Sequence, residues 1–271
     1  MFVKVNNNDY WTEQAGKGSP LLLLHGFTGT SHTWDACKEE WAKHFHVLSI
    51  DLPGHGKTEV HTPYTMESVC RDIASILTAL GLDKAHVLGY SMGGRTALSF
   101  ACLYPNLVST LILESSSPGL KVKKEREERV KHDTKLADFL EKEGIRAFVE
   151  YWESIPLFQT QKNLATEKQE QIRMERLSHT DKGLADSLRY MGTGMQPSWW
   201  HHLHNLQVPI LLIVGEYDQK FMNLNQQMLK KFNNAKLCIV EKTGHAVHVE
   251  ESQKFGKIVS DFILNEEKHK C

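Results

Sequence analysis

The chain has 271 residues, enough for one large α/β domain or a core carrying an insertion, and enough to bury a substantial interior. Its 32 Lys and Arg stand against 33 Asp and Glu, which gives no electrostatic basis for a nucleic-acid partner. Cys37, Cys70, Cys102, Cys238 and Cys271 are scattered, odd in number and without a CxxC pair, so neither a disulfide framework nor a metal site is expected. The first residues lack the apolar centre of a signal peptide, and no run approaches the ~18 apolar residues of a membrane span. The expectation is a soluble, cytoplasmic protein with no stable membrane insertion; the sequence carries no signature of a particular oligomeric state.

Residues 2–13, with Asn6-Asn7-Asn8-Asp9 at their centre, read as a two-stranded hairpin that extends one sheet edge. Pro20 to Leu24 is a continuous apolar run, the pattern of a strand covered on both faces, and it stops at His25-Gly26-Phe27. A second such run, His46 to Ile50, leads into Asp51-Leu52-Pro53-Gly54-His55-Gly56-Lys57-Thr58. Gly56-Lys57-Thr58 matches the end of a phosphate-binding loop, but the glycine that loop requires at position 51 is Asp51, which rejects it. Apolar spacing at Val69, Ile73, Ile76, Leu77 and Leu80 predicts a helix over 66–80, ended by Gly81.

A strand over 85–89 and a helix from Ser91 to Tyr104 follow, then strands at 110–113, 209–214 and 236–240 and a closing helix over 251–264. Strands alternating with helices imply a mostly parallel, twisted sheet flanked by helices. The interval 118–202 breaks the alternation. It is charged and helical in period, it opens on a charge run from Lys121 to Lys131, and further helical segments are predicted near 145–153, 165–178 and 182–191. The organisation expected is a core of residues 1–117 and 203–271 with a helical lid, 118–202, inserted over the strand ends.

Gly89-Tyr90-Ser91-Met92-Gly93 sits where the strand over 85–89 turns into a helix, the setting of a nucleophile elbow. Glycines at 89 and 93 allow the close approach that a side chain would block. Met92, at the first helical position, has an N–H without an intrahelical acceptor, available to a developing oxyanion. The elbow sets the order serine, acid, histidine. Asp218 follows the strand over 209–214 and His245 the strand over 236–240, both at carboxyl ends of strands. Asp218 could instead be a helix N-cap, with Glu114 the alternative acid; His248 competes with His245. Phe27 N–H, in the loop after the first core strand, is the second candidate oxyanion donor. His25 reads as a structural loop residue.

With these motifs in order, the chain resembles the α/β-hydrolase superfamily over nearly its whole length. It is also similar to the menaquinone-biosynthesis synthases that eliminate pyruvate to form a succinyl-hydroxy-cyclohexadiene-carboxylate. That resemblance rests on Gly89 to Arg95, Ser117-Pro118-Gly119-Leu120 with Arg129, Tyr151-Trp152-Glu153, Pro156-Leu157-Phe158, Arg176, Gly192 to Pro197 and Gly215 to Phe221. It implies the α/β-hydrolase fold, a small polycarboxylate substrate and no cofactor, with Ser91 acting as a base activated by His245.

Arg95, one turn beyond Ser91, independently asks for an anion, and guanidinium groups bind carboxylates bidentately. The resemblance implies a clamp of Arg95, Arg129 and Arg176, apolar walls from Tyr90, Trp152 and Phe158, and added charge from Lys220. Lid arginines among glutamates at helical spacing can equally be a solvated face. Competing readings of the chain are a carboxylesterase or C–C bond hydrolase working through a Ser91 acyl-enzyme, and a non-catalytic receptor of the same fold.

Overall fold

The computed structural model describes residues 1–268; Cys271 lies outside the described residues. The chain opens with the hairpin β1 (Phe2–Val5) and β2 (Asn8–Ala15), whose turn residues Asn6 and Asn7 take φ of 49° and 65°. Two left-handed residues in succession give the turn the twist that paired strands need, and asparagine tolerates that region well. The remaining strands are β3 (Ser19–Leu24), β4 (Phe45–Ile50), β5 (Ala85–Tyr90), β6 (Val108–Glu114), β7 (Ile210–Gly215) and β8 (Ala235–Val240). The sheet order is β1-β2-β4-β3-β5-β6-β7-β8, with the β1–β2 and β2–β4 pairs antiparallel and every later pair parallel.

Central strands are buried on both faces, which explains their unbroken apolar runs. In β3 the period of two sends Leu22 and Leu24 into one hydrophobic cluster and Leu21 and Leu23 into the other. Helices α1 (Asp35–Trp41), α2 (Met66–Ala79) and α3 (Met92–Leu103) cover the first half of the sheet. Thr65 caps α2 reciprocally with Ser68, and Gly81, at φ 68°, follows the last turn.

Between β6 and β7 lie α4 (Lys123–Ser154), 3-10 turns over Pro156–Asn163, α5 (Thr166–Leu177) and α6 (Asp181–Met191). No strand occurs in this interval. Gly144, at φ 81°, divides α4 into two helices, and the N–H of Ile145 restarts the ladder on Asp181 Oδ1 (2.8 Å). These helices bury a small cluster of their own, including Leu136, Leu140, Phe148, Leu184 and Leu188. Trp199 fastens its far end to the core through its indole N–H on Ser99 Oγ (2.8 Å), and Trp200 ties the two ends of the segment together through its indole N–H on the Gly119 carbonyl (2.9 Å). The chain closes with α7 (Gln219–Leu229), the short α8 (Val247–Glu250) and α9 (Ser252–Lys268). No helix among the described residues is long and apolar enough to cross a membrane.

Candidate active site

Ser91 stands between β5 and α3 at φ 50° and ψ −104°. A non-glycine residue in that region stores of order 1–3 kcal/mol of strain, and the surrounding packing holds it there. A Cβ on Gly89 would lie 2.3 Å from the Gly93 carbonyl, and one on Gly93 would lie 2.0 Å from the Leu24 carbonyl. Only glycine fits at either position. The turn thus lifts the serine hydroxyl clear of the sheet and points the free N–H groups of α3 at the same space.

The hydroxyl of Ser91 donates to His245 Nε2 (3.0 Å), because His245 Nδ1–H is engaged by Asp218 Oδ2 at 2.6 Å. Asp218 has two tasks at once: its Oδ1 accepts the N–H of Phe221 (3.2 Å) and caps α7, while its Oδ2 orients the imidazole. The loops bearing the acid and the base are bound to each other through Glu216 N–H on the Val240 carbonyl (3.0 Å) and Tyr217 N–H on the Thr243 carbonyl (2.9 Å). A Cβ on Gly215 would meet the Gly244 carbonyl at 2.1 Å, so their close approach also depends on glycine.

The two residues that compete for these roles in the sequence pair with each other instead. His248 Nδ1 lies 2.8 and 2.9 Å from the Glu114 carboxylate oxygens, and His248 N–H donates to the same carboxylate (3.0 Å). Both side chains are buried, and Tyr90 lies between this pair and His245, with ring centroids 4.5 Å from His248 and 5.4 Å from His245. Glu114–His248 therefore ties the end of β6 to the turn beyond His245.

Ser91 and His245 open into a cavity of about 360 Å³, also lined by Phe27, Tyr90, Met92, Arg95, Arg129, Trp152, Phe158 and Lys220. A volume in this range suits a small organic molecule. Phe27 packs edge-on against Trp152 (5.3 Å) and Phe148 (6.1 Å), so one wall is aromatic.

The opposite wall is cationic. Burial, with the charge of Arg129 beside it, pushes the Arg95 guanidinium down to about 10, still protonated at neutral pH. Its Nη1 donates to Gln196 (3.1 Å), and no carboxylate forms an ion pair with it among the described residues. Arg129 is held at Nε by Asp133 (2.7 Å), a buried residue one helical turn on, which leaves its terminal nitrogens for other partners. Asp133 and Gln196 fix the cations but stand out weakly in the sequence; only the i,i+4 spacing of Arg129 and Asp133 signals the first.

Arg176 departs from the expected clamp. Its guanidinium lies 4.8 Å from the Phe158 ring and is engaged by Gln161 (2.9 Å) and Glu153 (3.3 Å). It borders a small side chamber with Tyr90, Phe27 and Phe158 rather than the main cavity. The physical reason is local: Glu153, the penultimate residue of α4, supplies the counter-charge that a buried guanidinium requires. Arg173 is also held by Glu153, as a solvated face predicts.

A family model described as the alpha/beta hydrolase fold matches residues 19–252. A protein of Bacillus subtilis (strain 168), provisionally named a 2-succinyl-6-hydroxy-2,4-cyclohexadiene-1-carboxylate synthase, is 47% identical over 248 residues, 90% of each chain. The synthase of that name from Serratia proteamaculans (strain 568) is 30% identical over 90% of this chain and 93% of its own. Among solved structures, MenH from S. aureus superposes with a TM-score of 0.90 at 36% identity, over 95% of this chain and 98% of that one. The chain belongs to the α/β-hydrolase fold family, and within it shares a family with these synthase-named proteins.

Proposed function

We propose that this protein is a 2-succinyl-6-hydroxy-2,4-cyclohexadiene-1-carboxylate synthase of menaquinone biosynthesis, a lyase that eliminates pyruvate from 2-succinyl-5-enolpyruvyl-6-hydroxy-3-cyclohexene-1-carboxylate. The observation that carries this reading is the pair of guanidinium groups, Arg95 and Arg129, on the wall of the cavity that holds Ser91 and His245, with Asp133 their one carboxylate neighbour among the described lining residues and Arg95 in no direct ion pair with it. A simple ester hydrolase has no need of a buried cation there, whereas a substrate with several carboxylates does. The relative at 47% identity supports the same choice.

In this mechanism His245 withdraws the Ser91 proton, and Ser91 Oγ removes a proton from the substrate ring. The ring electrons shift through the conjugated system and the bond to the enolpyruvyl oxygen breaks. The departing enolate takes a proton from the His245 imidazolium and leaves as pyruvate. Asp218 holds the productive tautomer and stabilises the imidazolium. Phe27 and Met92 N–H groups face the oxygen on which negative charge develops. Arg95 and Arg129 clamp substrate carboxylates, Lys220 adds positive potential, and Tyr90 and Trp152 hold the ring. Arg176 acts on the substrate through Phe158 and the side chamber.

Residues 118–202 serve as the lid that excludes water from this chemistry. The four described cysteines, all free, fit a cytoplasmic enzyme. Incubating purified protein with the enolpyruvyl precursor and following pyruvate and diene absorbance tests the proposal. Enzyme-dependent release of both in equal amounts is expected; no release above the spontaneous background overturns it.

A further inference from the structure

We infer that the helical segment does more than cover the cavity: through His179 and Glu175 it positions the Phe27 N–H as an oxyanion donor. The inference rests on the role proposed for Phe27 and starts from the direction of one peptide plane. The Gly26 carbonyl is pinned by two donors, His25 Nδ1–H (2.7 Å) and Gly29 N–H (3.0 Å). His25 must carry its proton on Nδ1, because its Nε2 accepts the Leu52 N–H (2.8 Å). In a planar trans peptide the N–H points opposite to the carbonyl. Fixing Gly26 C=O therefore fixes the direction of the Phe27 N–H, in a residue that lines the cavity.

The next residue is where the loop is most easily lost. Thr28 has φ 69°, a left-handed conformation unfavourable for a β-branched side chain. Both of its backbone groups are held by histidines: its N–H donates to His55 Nε2 (3.1 Å) and its carbonyl accepts from His179 Nε2–H (3.0 Å). His55 comes from the core. His179 comes from the link between α5 and α6, and its tautomer is set by the Gly56 N–H, which donates to Nδ1 (3.3 Å).

Two residues further on the pattern repeats. A single carboxylate oxygen of Glu175, on α5, accepts from Thr30 N–H (2.9 Å), Thr30 Oγ (2.7 Å) and Thr33 Oγ (3.1 Å). The oxyanion loop is thus strung between fixed anchors in the core and two anchors on the helical segment. If that segment lifts, Thr28 loses its carbonyl partner and Thr30 keeps only the Thr33 hydroxyl (3.2 Å) as acceptor for its N–H, and the strained loop can relax. Closure over substrate then excludes water and completes the oxyanion site in one movement.

The test compares His179→Leu with His179→Gln, whose side-chain amide can still donate to the Thr28 carbonyl. His179→Leu is expected to lower kcat by about tenfold with KM within about twofold, since an interaction made to the transition state alone is weakened. His179→Gln is expected to recover most of that loss. Hydrogen exchange of the peptide spanning 25–31 should accelerate in His179→Leu and return toward wild type in His179→Gln. Unchanged kcat with unchanged exchange overturns the inference, as does a rise in KM at constant kcat. Glu175→Ala supplies the same two measurements should His179→Leu fail to fold. The exchange measurement needs no substrate, so it reads the latch even if wild-type protein releases no pyruvate.

Discussion

The core and the helical segment over residues 118–202 are held by different forces. In the core, β3 to β7 are packed on both faces and the turn bearing Ser91 is fixed by glycines that no other residue could replace. Much of the segment is held by charge: Lys123 with Glu127, Arg189 with Asp138 and Glu141, Arg173 with Glu150 and Glu153, around a small apolar cluster. Exposed pairs of this kind contribute only about 0–1 kcal/mol each. The groups assigned to proton transfer therefore sit on the rigid part, and those assigned to substrate closure sit on the part that can move at low cost. Arg95 and Arg129 face one cavity from opposite sides of that boundary.

The largest effects should come from the rigid part. Ser91→Ala and His245→Ala are each expected to lower kcat by at least about a thousandfold without loss of fold, as removal of a triad member does elsewhere. Retention of a tenth of the activity in either variant breaks the division of labour.

A second effect belongs to the boundary itself. His179 is held down to about 4 from its ordinary 6.5, chiefly by burial, and burial lowers His25 and His55 as well. A histidine whose folded-state value is depressed favours folding only while neutral, because the unfolded chain takes up the proton first. Stability is lost as pH falls from 6.5 to 4, by roughly 3 kcal/mol for His179 alone at 1.36 kcal/mol per pH unit. Melting temperature recorded across that window should fall steeply, and less steeply in His179→Gln.

Arg95→Ala should cost about a hundredfold in kcat/KM, with KM raised, as expected for removing a buried charged contact to a carboxylate. Arg129→Ala should cost less, because that side chain is half-exposed and screened. Equal losses at the two positions would show that the boundary does not grade the clamp. The smallest effect on activity is expected at His248→Ala, less than about tenfold in kcat, since His248 touches Glu114 rather than Ser91. Its cost appears as instability, about 3 kcal/mol, because Glu114 is left buried with the backbone N–H of residue 248 in place of the imidazole partner.

The same contrast governs what could be read from the sequence. Strand runs such as Leu21 to Leu24 announce themselves because burial on both faces leaves no room for polar residues. The elbow, Asp218 and His245 follow from the motif and from strand ends. Asp218 reads as an acid or an N-cap, and its two oxygens separately engage His245 Nδ1 and the Phe221 N–H. Glu114 and His248 could not be separated from the triad by position alone. Only their mutual pairing, across 134 positions of sequence, removes them.

In the segment, helical period survives but placement does not: nothing in the residues around Arg176 says that Glu153 and Gln161 will hold it behind Phe158. The short α1 is not among the predicted helices, and α7 is signalled only by the capacity of Asp218 to cap a helix. Their boundaries depend on packing against the sheet and, for α7, on a cap supplied by the acid itself.

In the proposed function, an elbow built like that of a serine hydrolase uses Ser91 as a base. The most direct measurement is the intact mass of the enzyme quenched during turnover of the enolpyruvyl substrate. Unmodified protein is expected at every time point while pyruvate accumulates. A substrate-derived adduct on Ser91 that forms and decays at the rate of turnover would contradict it.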